Sequence, residues 1–134
     1  MKKIIVALLA MAMLFSMSGC GKKVPYGFTD KTYSLGNDAL KVMDGFLDGK
    51  MDADEAEKEL SRIADGLKQD VVKPDPSSKN YEEELIQSFS NSGVSFLVSS
   101  FVMGMFDWEN EYGNTYDCQE IRDDLYEQLN TSLK

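Results

Sequence analysis

Four stretches of this chain repeat their apolar residues at steps of three and four, the spacing that lines one face of an α-helix. From Tyr33 to Leu47 the set is Leu35, Ala39, Met43, Phe46 and Leu47, and from Ala53 to Leu67 it is Ala56, Leu60, Ile63, Ala64 and Leu67. Tyr81, Leu85, Ile86 and Phe89 form a third set, and Cys118, Ile121, Leu125 and Leu129 a fourth. The expected fold is all-α, a small bundle of about four helices.

The residues between these stretches punctuate them. In Asp48-Gly49-Lys50-Met51-Asp52, Gly49 suits the left-handed position after a helix C-terminus, and Asp52 with Glu55 has the spacing of a capping box. The first two helices are therefore expected as an antiparallel hairpin. Gly36 and Gly45 each cost the first helix up to about 1 kcal/mol relative to Ala, so it depends on packing more than on propensity. Pro74 and Pro76 make 71–79 a loop that no helix crosses intact. Asn80 with Glu83 predicts the cap of the third helix, and Asp117 with Glu120 that of the last.

Val94 to Phe106 is apolar on all sides and is the densest such segment outside the N-terminus. Thirteen residues are too few to cross a bilayer, so the segment reads as a helix buried between others. Its β-branched and aromatic content also permits two short strands, and Gly93 offers a break between two helices. Gly93, Ser100 and Gly104 share one helical face and admit a close neighbour. If the bundle leaves part of this surface uncovered, the remainder is an association patch.

At the N-terminus, Lys2 and Lys3 precede an apolar run from Ile4 to Met17, which ends in Ser18-Gly19-Cys20. A basic start, an apolar core too short to span and small residues at the end make a secretory signal pattern. With Cys20 after Met17-Ser18-Gly19, the segment resembles the lipobox of bacterial lipoproteins, with Met17 where Leu is preferred. The resemblance covers residues 1–20. It implies cleavage between Gly19 and Cys20 and a diacylglyceryl group on the Cys20 thiol, with an N-acyl chain as a further modification; no other cofactor is expected. Residues 1–19 are then the cleaved signal peptide, 20–32 the lipidated N-terminus and tether, and 33–134 an acidic helical domain. Two acyl chains hold a protein firmly where one does not. The expected location is the extracytoplasmic face of the cell membrane. In an envelope with two membranes the outer one is the alternative, because Gly21 stands where the family associates Asp with inner-membrane retention.

Fully extended, Gly21 to Phe28 reaches about 30 Å, which keeps the domain within a few nanometres of the bilayer. Tyr26 and Phe28 either extend with this tether or dock on the body. The full chain carries 14 basic and 23 acidic side chains, and loss of Lys2 and Lys3 leaves 12 against 23, a net charge of −11. That balance argues against nucleic acid as a partner. It also repels the body from an anionic bilayer, while Lys22 and Lys23 each gain about 1 kcal/mol near it.

Acylation of Cys20 leaves one other cysteine, Cys118, and so no internal disulfide. Cys118 lies on the apolar stripe of the last helix and reads as a small buried hydrophobe. The chain has no His, which removes Ser-His and Cys-His pairs, an imidazole base and most zinc or copper sites.

Two constellations remain. With Gly49 as the sixth position of a calcium loop, Asp44, Asp48, Asp52 and Glu55 fall at positions one, five, nine and twelve, which resembles an EF-hand. Phe46 occupies the third position, where an oxygen ligand belongs, and each acid has a routine helix-end role, so an ordinary capped hairpin without metal is expected. The second is the acidic aromatic stretch Asp107, Trp108, Glu109, Glu111, Tyr112, Tyr116 and Asp117. It suits sugar stacking or a protein contact, and equally a Trp that closes the bundle. The expected function is a non-enzymatic, membrane-anchored module that binds an extracytoplasmic protein. The alternatives are a carboxylate-dependent enzyme acting on envelope polymers and a degenerate EF-hand-like calcium binder.

Overall fold

In the computed structural model, which describes residues 23–106 and 117–131, four helices follow one another: α1 (Asp30–Leu47), α2 (Ala53–Gln69), α3 (Tyr81–Met105) and α4 (Cys118–Asn130). No strand occurs among the described residues. Cross-contacts show that neighbours run antiparallel. The start of α1 meets the end of α2 through Thr32 and Asp70, and meets the end of α4 through Gly36 and Leu129. The end of α1 meets the start of α4 where Asp44 pairs with Arg122. Early α3 meets the end of α4 at Ser90 and Gln128, and late α3 meets its start at Phe101 and Cys118. α1 and α3 face each other across the closer diagonal of this up-down-up-down bundle, and α2 and α4 lie across the wider one.

The caps explain where the helices begin and end. α1 starts at Asp30, three residues before its apolar pattern, because the Thr29 hydroxyl accepts the Thr32 N–H at 3.0 Å. Its end is the Schellman arrangement: Lys50 N–H donates to the Gly45 carbonyl and Gly49 N–H to the Phe46 carbonyl, with Gly49 at φ 70°. Asp52 and Glu55 form the full capping box of α2. Asp117 caps α4 by accepting from the Gln119 and Glu120 N–H groups. Asn80 does not behave as its spacing predicts, since its side chain makes no capping bond. Glu84 holds the entry to α3 instead, accepting from the Asp75 N–H and the Ser78 hydroxyl and so fixing the proline-bearing loop.

Val94–Phe106 is neither two helices nor strands. Its residues to Met105 belong to a single helix of 25 residues that passes unbroken through Asn91-Ser92-Gly93. The Asn91 side chain is turned away from its own backbone: its Nδ2 donates to Thr32 Oγ1 and to the Leu67 carbonyl, both at 3.0 Å, which removes the local competition that ends helices at Asn. At Gly93 the Gln128 side chain lies across the helix, in space that a Cβ would enter.

The core is built from the four apolar faces, with Met43, Leu60, Ile63, Val98, Phe101 and Leu125 fully buried. One end of it is polar. Thr29 and Thr32 both donate to Asp70 Oδ2, and Asn91 joins them through Thr32, so that α1, α2 and α3 share one hydrogen-bonded knot. Beside it the chain before α1 folds back. Phe28 is buried with its ring 5.9 Å from that of Tyr33, Val24 packs on the core, and Tyr26 stays exposed. The folded body thus reaches into the segment expected as tether, because an aromatic residue next to the α1 cap gains more from the core than from water.

Candidate functional site

Gly19 and Cys20 lie outside the described residues, as do Trp108, Tyr112 and Tyr116. The acids of the possible calcium loop are described, and each has a structural partner or role. Asp44 receives both Nε and Nη2 of Arg122, at 2.7 and 3.2 Å. This pair raises the basicity of Arg122, chiefly through the hydrogen bond to Asp44 and against a smaller opposing effect of burial. Asp48 follows the last residue of α1 and pairs with Lys50, whose ammonium it holds above the usual lysine range by that hydrogen bond. Asp52 and Glu55 cap one another's helix start. Helix geometry turns Asp44 toward α4 while Asp52 faces along α2, so the four do not converge. No group of three or more His, Cys, Asp or Glu side chains among the described residues is placed to hold a metal. Cys118 is half-buried, with its thiol 3.8 Å from the Phe101 carbonyl, as its place on the apolar stripe leads one to expect.

The feature that stands apart is the outer face of α3. The buried apolar positions on this helix are Val94, Val98, Phe101 and Met105, with Ser90, Asn91 and Ser100 buried beside them, so it is not enclosed by its neighbours as the all-round apolar pattern suggests. Phe89 and Phe96 are 65 % and 67 % exposed, and Met103 and Phe106 are 45 % and 44 % exposed. The reason is partly length: α3 extends about 37 Å and the 13-residue α4 only about 20 Å. The other part is sequence. Phe89, Phe96 and Met103 are seven residues apart, with Ser92 and Ser99 three residues after the two Phe, and this seam is left largely in solvent between the neighbouring helices. No charged residue occurs in the 22 positions from Leu85 to Phe106.

A shallow groove flanks the seam on each side. Between α2 and α3, Leu60, Ser61, Ala64, Val98, Val102 and Met103 line about 220 Å³ of mainly apolar space. Between α3 and α4, Phe96, Leu97, Ser100 and Ile121 face Asp117, Glu120 and Asp124 across about 210 Å³. The spacing of seven was present in the sequence as a signal for this seam. What it did not reveal is that the same helix also spends Val94, Val98 and Phe101 on the core, which decides which side faces out.

No protein-family model, no curated protein and no solved structure matches this chain. Among the described residues no helix is long and apolar enough to cross a membrane.

Proposed function

We propose that this chain is a lipid-anchored extracytoplasmic protein that binds another protein through the outer face of α3, as a non-enzymatic accessory module. The anchor is the diacylglyceryl group on Cys20, after cleavage behind Gly19. The observation that carries the binding role is the exposed, uncharged seam of Phe89, Phe96, Met103 and Phe106 on an otherwise strongly acidic chain. Aromatic residues left in water at heptad spacing lose apolar burial that a packed partner restores, and such residues dominate the energy of protein contacts. The α2 surface, by contrast, is the ordinary solvated kind, with Arg62 paired to Glu59 and Lys68 to Asp65.

A photocrosslinking amino acid placed at Phe96 in living cells tests this, with Lys58 on the exposed side of α2 as the control position. The expected result is one protein joined reproducibly through position 96 and not through 58, together with acyl mass on Cys20 by mass spectrometry. Equal background at both positions, or an unacylated terminus, overturns the proposal.

A further inference from the structure

Resting on the reading of α3 as a docking face, we infer that its occupant is a cationic amphipathic helix of another extracytoplasmic protein, seated in the groove between α3 and α4. The groove has two unlike walls. Phe96 and Leu97, with Ile121 from α4, offer an apolar strip. Along the α4 side, Asp117, Glu120 and Asp124 follow at steps of three and four, so their carboxylates line up parallel to that strip. A helix laid here with apolar residues at heptad spacing would present its flanking positions to this acidic edge.

Among the described residues the edge has no cation of its own. Arg122 is the only basic residue of α4, and it is turned to the opposite side, where it holds Asp44 and Asp123 and lies over the Tyr126 ring. Among the described residues Asp117 accepts from backbone N–H groups alone, and neither Glu120 nor Asp124 enters a salt bridge. Lys or Arg on a partner therefore meets unneutralised carboxylates beside an apolar surface that excludes water, where opposite charges steer and orient association. A second copy of this chain, with 23 acidic against 14 basic side chains, brings the wrong sign to that edge.

The test uses the full chain as produced by its host, held in phosphatidylcholine nanodiscs. Two labelled 15-residue helical peptides serve as probes, with Leu at heptad a and d positions and either Lys or Glu at the flanking positions. Fluorescence anisotropy is expected to show saturable binding of the Lys peptide, at least tenfold weaker binding of the Glu peptide, and no binding of either to empty nanodiscs. The double substitution Glu120→Gln, Asp124→Asn, confined to the surface, is expected to weaken the Lys peptide about fivefold at 50 mM salt, and 300 mM salt is expected to erase most of that difference. Phe96→Ser should weaken it by more than the charge substitutions do. Equal binding of the two peptides, no binding of the Lys peptide, or indifference to Glu120→Gln, Asp124→Asn overturns the inference. A dimer in sedimentation that Phe96→Ser dissociates also overturns it, and assigns the seam to self-association. If the Lys peptide fails while crosslinking through position 96 still gives one specific protein, the docking face stands and only the cationic class falls.

Discussion

Asn91 shows what one polar side chain does inside an apolar helix. Its amide spans two neighbouring helices through Thr32 and the Leu67 carbonyl, in a buried site where each bond lost leaves a polar group dry. Asn91→Leu is expected to lower stability by about 2 kcal/mol, read as a lower urea midpoint at unchanged slope. An unchanged midpoint would show that the knot contributes nothing. Asp75 gives a prediction in pH. Its carboxylate accepts from the hydroxyl and the N–H of Ser77, and the hydroxyl contributes most to holding its pKa below the usual value. A carboxyl favoured as the anion in the folded state contributes stability above its unfolded pKa, and that contribution is lost as pH falls through the lowered folded value. The group is fully exposed, so the effect on stability is small. NMR titration should nevertheless find the Asp75 midpoint depressed, and Ser77→Ala should move it back up.

At the scale of the helix, sequence periodicity read α2 and α4 well, because their apolar stripes are narrow and their caps local. Asp52 with Glu55 and Asp117 are caps that depend on nothing beyond their own turn. The apolar pattern of α1 starts three residues inside the helix, since Thr29 caps it in concert with Asp70 from another helix, and no pattern within α1 records that. The periodicity marks α3 as helical from Tyr81 and favours a buried helix past Gly93; the helix is there but its burial is partial, because a segment apolar on every side has no phase to say which side is covered. Its exposed seam became legible only once α2 and α4 had claimed Val98 and Phe101. The two glycines of α1, equal costs by propensity, also separate in the fold. A Cβ on Gly36 would come within 2.7 Å of the buried Leu129 side chain, whereas one on Gly45 meets Met51 no closer than 3.7 Å. Gly45→Ala is expected to stabilise the protein by about 0.5–1 kcal/mol, and Gly36→Leu to destabilise it by about 2 kcal/mol despite its better helix propensity. Thermal melts of the two variants, shifting in opposite directions, check this.

Across the whole molecule, like charge opposes the fold that the apolar faces assemble. Acidic side chains outnumber basic ones by nine in the full chain, and this self-repulsion weakens as salt screens it. The melting temperature is expected to rise by several degrees between 20 and 300 mM sodium chloride. A fall instead would mean that surface pairs such as Lys41 with Asp38 outweigh the repulsion. The inward-folded stretch from Val24 to Phe28 has its own consequence at this scale. It lies at the pole where α1 begins and α2 and α4 end, while Met103, Phe106 and Asp117 occupy the far pole. If Cys20 carries the acyl chains proposed for it, only three residues separate the anchor from Val24, and the bundle sits on a very short leash. On such an anchor the exposed seam of α3, a helix about 37 Å long, would stay beside the bilayer and outside it, so a partner would have to present its matching surface close to the membrane.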